Sequence, residues 1–182
     1  MAPNNQRDDF LSVALRAFHE RGYEATSVAD IVDAVGIANV TEKYRGVAKE
    51  QLLAELMGPL LDDIDEVLDR YPRHPSWPGE GGRLLASYLD VLIDHRDVVS
   101  WVDGDNAVLH HSTIGKRLAE SNRRLRAAIR GDNRSTPARL GASAAIGALW
   151  RPLRNLTDLD VQTDRAAILA AAMAVVDTVR SS

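Results

Sequence analysis

The sequence predicts an all-α protein of about nine helices, a three-helix head followed by a larger helical body. Three observations carry this. Apolar residues recur at three- and four-residue spacing along most of the 182 residues, the period of one helix face. Alanine, leucine and arginine, all good helix formers, are frequent. Runs that alternate apolar and polar are scarce, and glycine and proline divide the chain into helical lengths.

The first helix is expected over about residues 7–21, with Phe10, Leu11, Ala14, Leu15 and Phe18 on one face and Gly22 as its stop. Thr26 or Ser27 caps the second, whose stripe is Val28, Ile31, Val32 and Val35. Gly36 ends it, and a short third helix follows. The fourth starts near Ala48 and carries Leu52, Leu53, Leu56, Leu60, Ile64 and Leu68, with a kink expected at Pro59 and an end before Pro72. Residues 72–82, rich in proline and glycine, read as a loop. A helix over about 83–95 precedes a less regular helical stretch over 97–111, interrupted near Gly104. The next helix spans about 114–130, and Gly131-Asp132-Asn133 makes a turn. Thr136-Pro137 opens a helix to about Leu156, with proline at its favoured first position. Thr163 or Asp164 caps the last, which runs to about Arg180.

Hydrophobic residues make up 45% of the chain and charged residues 26%, enough for a sizeable core and too balanced for disorder. There is no cysteine, which excludes disulfides, thiolate metal sites and cysteine nucleophiles. No apolar run reaches membrane-spanning length, and residues 1–7 lack the apolar core of a secretion signal, so a cytoplasmic protein without membrane contact is expected. The net charge of −4 does not announce a nucleic-acid binder, so local charge matters more.

Two short helices joined by a glycine-containing turn, behind a supporting helix, make a helix-turn-helix. Here the pair is expected over about 27–35 and 39–45. Phe18-His19-Glu20-Arg21-Gly22-Tyr23, Thr26-Ser27-Val28-Ala29-Asp30-Ile31, Ala34-Val35-Gly36-Ile37 and Lys49-Glu50 follow in order. At these spacings they resemble the N-terminal signature of the TetR family. The resemblance covers roughly the first 55 residues; the remainder agrees only in length and helical pattern. It implies a DNA-binding head over 1–50 and an effector-binding, dimer-forming body over 51–182. The chain departs from the family pattern around the third helix. Ala38, Val40, Lys43, Arg45, Gly46 and Ala48 stand where the family usually has a serine, a glycine, aromatic residues and a capping serine. Asn39 with Glu42 offers an alternative capping box, leaving a helix of fewer than two turns that depends on packing.

Between Gly36 and Lys49, Lys43, Arg45 and Lys49 stand against Glu42 alone, although the first 50 residues carry six basic and eight acidic side chains. Positive charge thus gathers where a phosphate backbone would lie. Chemistry and resemblance together nominate Lys49 and Arg45 for phosphates, with Thr26 or Ser27 at a helix N-terminus. Asn39, Thr41, Lys43 and Tyr44 lie on or beside the recognition helix, within reach of base edges or backbone.

In the body, Ala142, Ala145, Ile146, Leu149 and Leu153 recur along one helix, and Ile168, Ala172, Val175, Val176 and Val179 along the next. Resemblance implies that this pair forms the homodimer interface, though the same stripes would serve a chain's own core. It further implies a pocket in the middle helices for a small, largely apolar effector. Met57, Tyr88, His95, Trp101, His110 and Trp150 are the candidates by type and position, each also an ordinary core or interface residue. The function expected is an effector-responsive regulator, more often a repressor, binding a palindromic operator as a dimer, with no cofactor and no catalytic residues. The rival reading is a small-molecule or protein-binding module whose head has lost DNA. A metal site among Asp94, His95, Asp103, Asp105, His110 and His111 is a weaker alternative, since their spacing fits no helical zinc motif.

Overall fold

The computed structural model describes residues 3–35, 47–156 and 158–180. All regular structure among them is helical. The order is α1 (Pro3–Arg21), α2 (Val28–Val35), α3 (Lys49–Arg70), α4 (Gly79–Asp94), α5 (Arg96–Val102), α6 (Asn106–Leu109), α7 (Ile114–Arg130), α8 (Thr136–Asn155) and α9 (Val161–Arg180). The short recognition helix expected after Gly36 lies outside the described residues.

The α3 helix is the spine of the molecule. Its apolar stripe, from Leu52 through Met57 and Ile64 to Leu68, is buried over its whole length. The helix passes Pro59, which sits on the exposed side, without a break. The head–body boundary expected at 50/51 falls in its first turn.

Ion pairs fix what packs against α3. Arg117 on α7 reaches Asp62 and Asp65 at 2.7 Å, and Arg124 reaches Asp69 at 2.5 Å. These pairings advance together, so α7 runs parallel to α3, away from the head. Just past the end of α4, His95 Nε2 lies 2.6 Å from Asp63, and the hydroxyls of Ser87 on α4 and Tyr71 just past α3 are 3.1 Å apart. This order is reversed, so α4 is antiparallel to α3.

The closest helix pair is α8 with α9. Gly141 lets them approach, since a methyl group there would strike the Val179 side chain. Arg96 closes the far end of α8 by donating to the carbonyls of Leu153, Leu156 and Leu159 at 3.2–3.4 Å. A helix C-terminus leaves such carbonyls free, and a guanidinium answers several at once.

Three boundaries differ from the sequence reading, the first being α1, which starts at Pro3 and not near residue 7. Residues 79–82 are helical, not loop: Ser76 donates its N–H and hydroxyl to Glu80 at 2.9 Å, and Gly81 lies against the Trp77 ring. At α9 the carboxylate that receives the first turn is Asp160. Thr163 donates its hydroxyl to it at 2.8 Å, so neither Thr163 nor Asp164 is the starting cap. One continuous buried cluster runs from Phe10 in α1 to Val176 in α9.

Candidate nucleic-acid interface

The head is built on α1 and α2. Phe10, Ala14 and Phe18 bury one face of α1, and Ile31 and Val32 bury that of α2. Gly22 turns the chain between them at φ +85°, a left-handed conformation that suits a residue without Cβ. Thr26 is only 1% exposed, and its hydroxyl donates to the carbonyls of Gly22 at 2.9 Å and Ala17 at 3.2 Å. Of the two phosphate candidates at this helix start, Thr26 therefore has its hydroxyl turned inward and used within the turn.

Ser27 remains outside. Its hydroxyl accepts from the Asp30 N–H at 3.1 Å, and the Asp30 carboxylate accepts from the Ser27 N–H at 2.9 Å and hydroxyl at 2.7 Å. This reciprocal cap satisfies free donors at the α2 N-terminus. The Ser27 hydroxyl, then its N–H, hold the Asp30 carboxyl below its ordinary value of 3.8.

Lys49 opens α3. Its ammonium donates to the Glu24 carbonyl at 3.1 Å and sits 4.4 Å from the centre of the Tyr23 ring. It thereby ties the α1–α2 turn to the spine. An ammonium has three donors, so this engagement leaves donor capacity for a phosphate. Asn39, Thr41, Lys43, Tyr44 and Arg45 lie outside the described residues.

A feature missed by sequence reasoning joins head to body. Asp105, 9% exposed, takes four N–H donors on one carboxylate. Its Oδ2 accepts from the Tyr23 backbone at 2.6 Å and the Trp101 indole at 3.1 Å. Its Oδ1 accepts from Ala107 and Val108 at 3.0 and 3.3 Å, capping α6. Phe18 stacks on Trp101 with ring centres 5.4 Å apart. The Tyr23 hydroxyl is pushed above its ordinary pKa by burial, then by the charges of Glu50 and Asp105. An aspartate just before a short apolar run could have been read as a cap; its bond to a residue 82 positions away could not.

The family model for bacterial regulatory proteins of the tetR family matches residues 10–56, the segment just described. A curated relative, the HTH-type transcriptional repressor KstR2 of Mycolicibacterium smegmatis, is 37% identical over 106 residues, 56% of this chain and 50% of that protein. The KstR2 of Rhodococcus jostii is 36% identical over 61 residues, 34% of this chain and 30% of that protein. Over this segment the head is similar to those of the TetR family of regulators. The matched part spans half the length or less of these curated relatives.

Solved TetR-family structures extend the likeness in fold to the body. A member from Streptomyces coelicolor A3 superposes with a TM-score of 0.68 at 24% identity, covering 91% of this chain and 88% of the other. PfmR of Thermus thermophilus does so at 0.56 and 20%, covering 93% and 96%.

Within the helical body the six pocket candidates separate. Met57, Tyr88 and Trp150 are buried, and the Trp150 indole donates to the Tyr88 hydroxyl at 3.2 Å. Burial, relieved only in part by that bond, pushes the Tyr88 phenol far above its ordinary pKa. Trp101 belongs to the head joint. His95 is half-buried against Asp63, and the exposed His110 ring lies 2.8 Å from the Asn106 carbonyl. These histidines and Asp105 thus have separate partners, and among the described residues no three potential ligands gather around a metal.

The interface candidates need correction in position. Ala142, Ala145, Ile146, Leu149, Leu153, Ile168, Ala172, Val176 and Val179 are buried within the single chain, and Val175 is half-buried. They hold α8 to α9 and to the core, so they are not an outward face. The outward face of α9 is also apolar: Ala166, Ala167, Ala170, Ala171 and Ala174 are exposed. On α8, Leu140 and Ala144 are exposed.

Proposed function

We propose that this protein is a transcriptional repressor acting in the cytoplasm. It binds a palindromic operator as a homodimer and is released by a small effector held in its body. The observation that carries the reading is the matched helix-turn-helix head, residues 10–56, locked to the helical body through Asp105. Ser27, Lys49 and the 39–45 segment form its DNA face. Lys49 contributes a phosphate contact while also bracing the turn. It acts by binding and carries no catalytic role.

The homodimer is supported by α9, which is apolar on both sides. A helix of that kind requires a covering on each. A two-fold dimer presents its recognition helices about 34–36 Å apart or a multiple, one turn of duplex. An effector with an apolar part reaches Met57, Tyr88 and Trp150 only by parting α4 from α8. It therefore selects a state different from this one. That displacement passes along α3 and through the Asp105 joint to the heads, and it shifts the half-site spacing.

The test is selection of bound fragments from random or genomic DNA, followed by salt titration of the best binder. A palindromic consensus is expected, with Lys43→Ala and Lys49→Ala each lowering the salt slope by about one. A folded dimer that enriches no sequence would sink the repressor reading and leave a binding module whose head has lost DNA.

A further inference from the structure

Several arginines of the body are answered by carboxylates. Arg117 and Arg124 pair with α3, Arg165 with Asp90, and Arg151 and Arg154 with Asp103. One group departs from this. The last turns of α7 and the first turns of α8 border a groove of about 520 Å³ lined by Arg123, Arg126, Arg130 and Arg139, with Thr136 and Ser143. No acidic side chain lines it among the described residues, in a chain with an acidic surplus of four.

Three of the four guanidinium groups have no carboxylate to neutralise them locally among the described residues. Arg126 and Arg139 have no carboxylate at ion-pair distance among the described residues. Arg130 donates to the Gly131 and Asn133 carbonyls at 3.3 Å, which orients it without cancelling its charge. Arg123 alone has an acid, its helix neighbour Glu120. Three uncompensated forks, with a fourth beside them, repel one another in a concave site unless anions lie between them. Two further features point the same way. Thr136, at the start of α8, adds a hydroxyl donor to the groove wall. Leu140, 66% exposed and the most exposed large apolar side chain described, sits on the same wall.

We propose that this groove binds a small organic polyanion, with clustered phosphoryl or carboxylate oxygens held by the arginines and an apolar part resting on Leu140. The groove lies at the end of α7 remote from the head, since α7 runs parallel to α3. The α3 helix is 22 residues long, roughly 33 Å. Its concavity and its distance from the head favour a small molecule over a second DNA contact. The site stands whether or not the head binds an operator.

Calorimetric titration with inorganic pyrophosphate, and separately with citrate, at constant ionic strength tests it in the intact protein. Saturable one-site binding is expected, weakened roughly ten- to a hundredfold in Arg126→Ala/Arg139→Ala. It should be unchanged in Arg16→Ala, an exposed head residue. Tighter binding of pyrophosphate identifies the phosphoryl source, and tighter binding of citrate the carboxylate source. Thermal melts establish that the variant is folded, and Arg139→Gln, which alters only an exposed side chain, supplies a milder second variant. Absence of saturable binding to both probes, or equal binding by wild type and the folded variants, overturns the proposal.

Discussion

Asp105 concentrates more connections than any other polar side chain described. A buried carboxylate is costly unless its oxygens are filled, and here four N–H donors fill them. Asp105→Asn keeps the shape but turns an amide N–H₂ toward donors on one side. The expected loss is on the order of 2–3 kcal/mol by urea unfolding, with hydrogen exchange at Tyr23 rising more than in α9. Equal exchange in both places would mean that the residue stabilises α6 and not the head joint. Asp30 gives a pH dependence of known sign. Its folded pKa lies below the ordinary 3.8, so the cap contributes fully above that value and is lost as pH falls through the folded one. The melting-temperature gap between wild type and Asp30→Asn should therefore be widest near neutrality and close below about pH 4. A gap constant from pH 7 to pH 3 would show that the charge is not what caps α2.

In the proposed switch α3 is the linking element, because Lys49 in its first turn is tied to the α1–α2 turn while the rest of the helix buries its apolar stripe. Pro59 lacks the N–H that would bond to the Glu55 carbonyl, and it crowds that turn. It faces solvent, so Pro59→Ala restores a bond without disturbing packing. A gain of about 1–3 kcal/mol is expected in chemical denaturation. If a bend in α3 transmits the effector signal, the same substitution also narrows the difference in operator affinity with and without effector. Unchanged stability would mean that the helix had already accommodated the proline through its neighbours.

For the whole molecule, the proposed homodimer rests on the α8–α9 pair. Its inner stripes are used up inside one chain, while the exposed alanines of α9 form an apolar face with no described covering. Placing a carboxylate there, as in Ala170→Glu, should leave helix content unchanged and shift sedimentation from dimer to monomer. The expected cost is on the order of 3 kcal/mol for an unpaired buried charge. A variant that remains dimeric would move the interface elsewhere.

The helical class, most of the boundaries and the family of the head were legible in the sequence, because each is written locally. Caps, breakers and 3.6-residue periodicity act within a turn or two, and the head signature is contiguous. The body face was not legible, because periodicity says that a stripe is buried without saying what buries it. On α8 and α9, apolar on more than one side, the stripe named for the partner turned out to be the inner one. The early start of α4 depends on Trp77 folding over Gly81, and the head joint on Asp105 meeting Tyr23 across most of the body. The basic groove likewise depends on α8 returning beside α7, which brings Arg139 to Arg126 and Arg130. Helix formation is local and can be read from neighbours in the chain. Partner choice depends on the packing of helices distant in sequence, where volume, burial and charge are satisfied together.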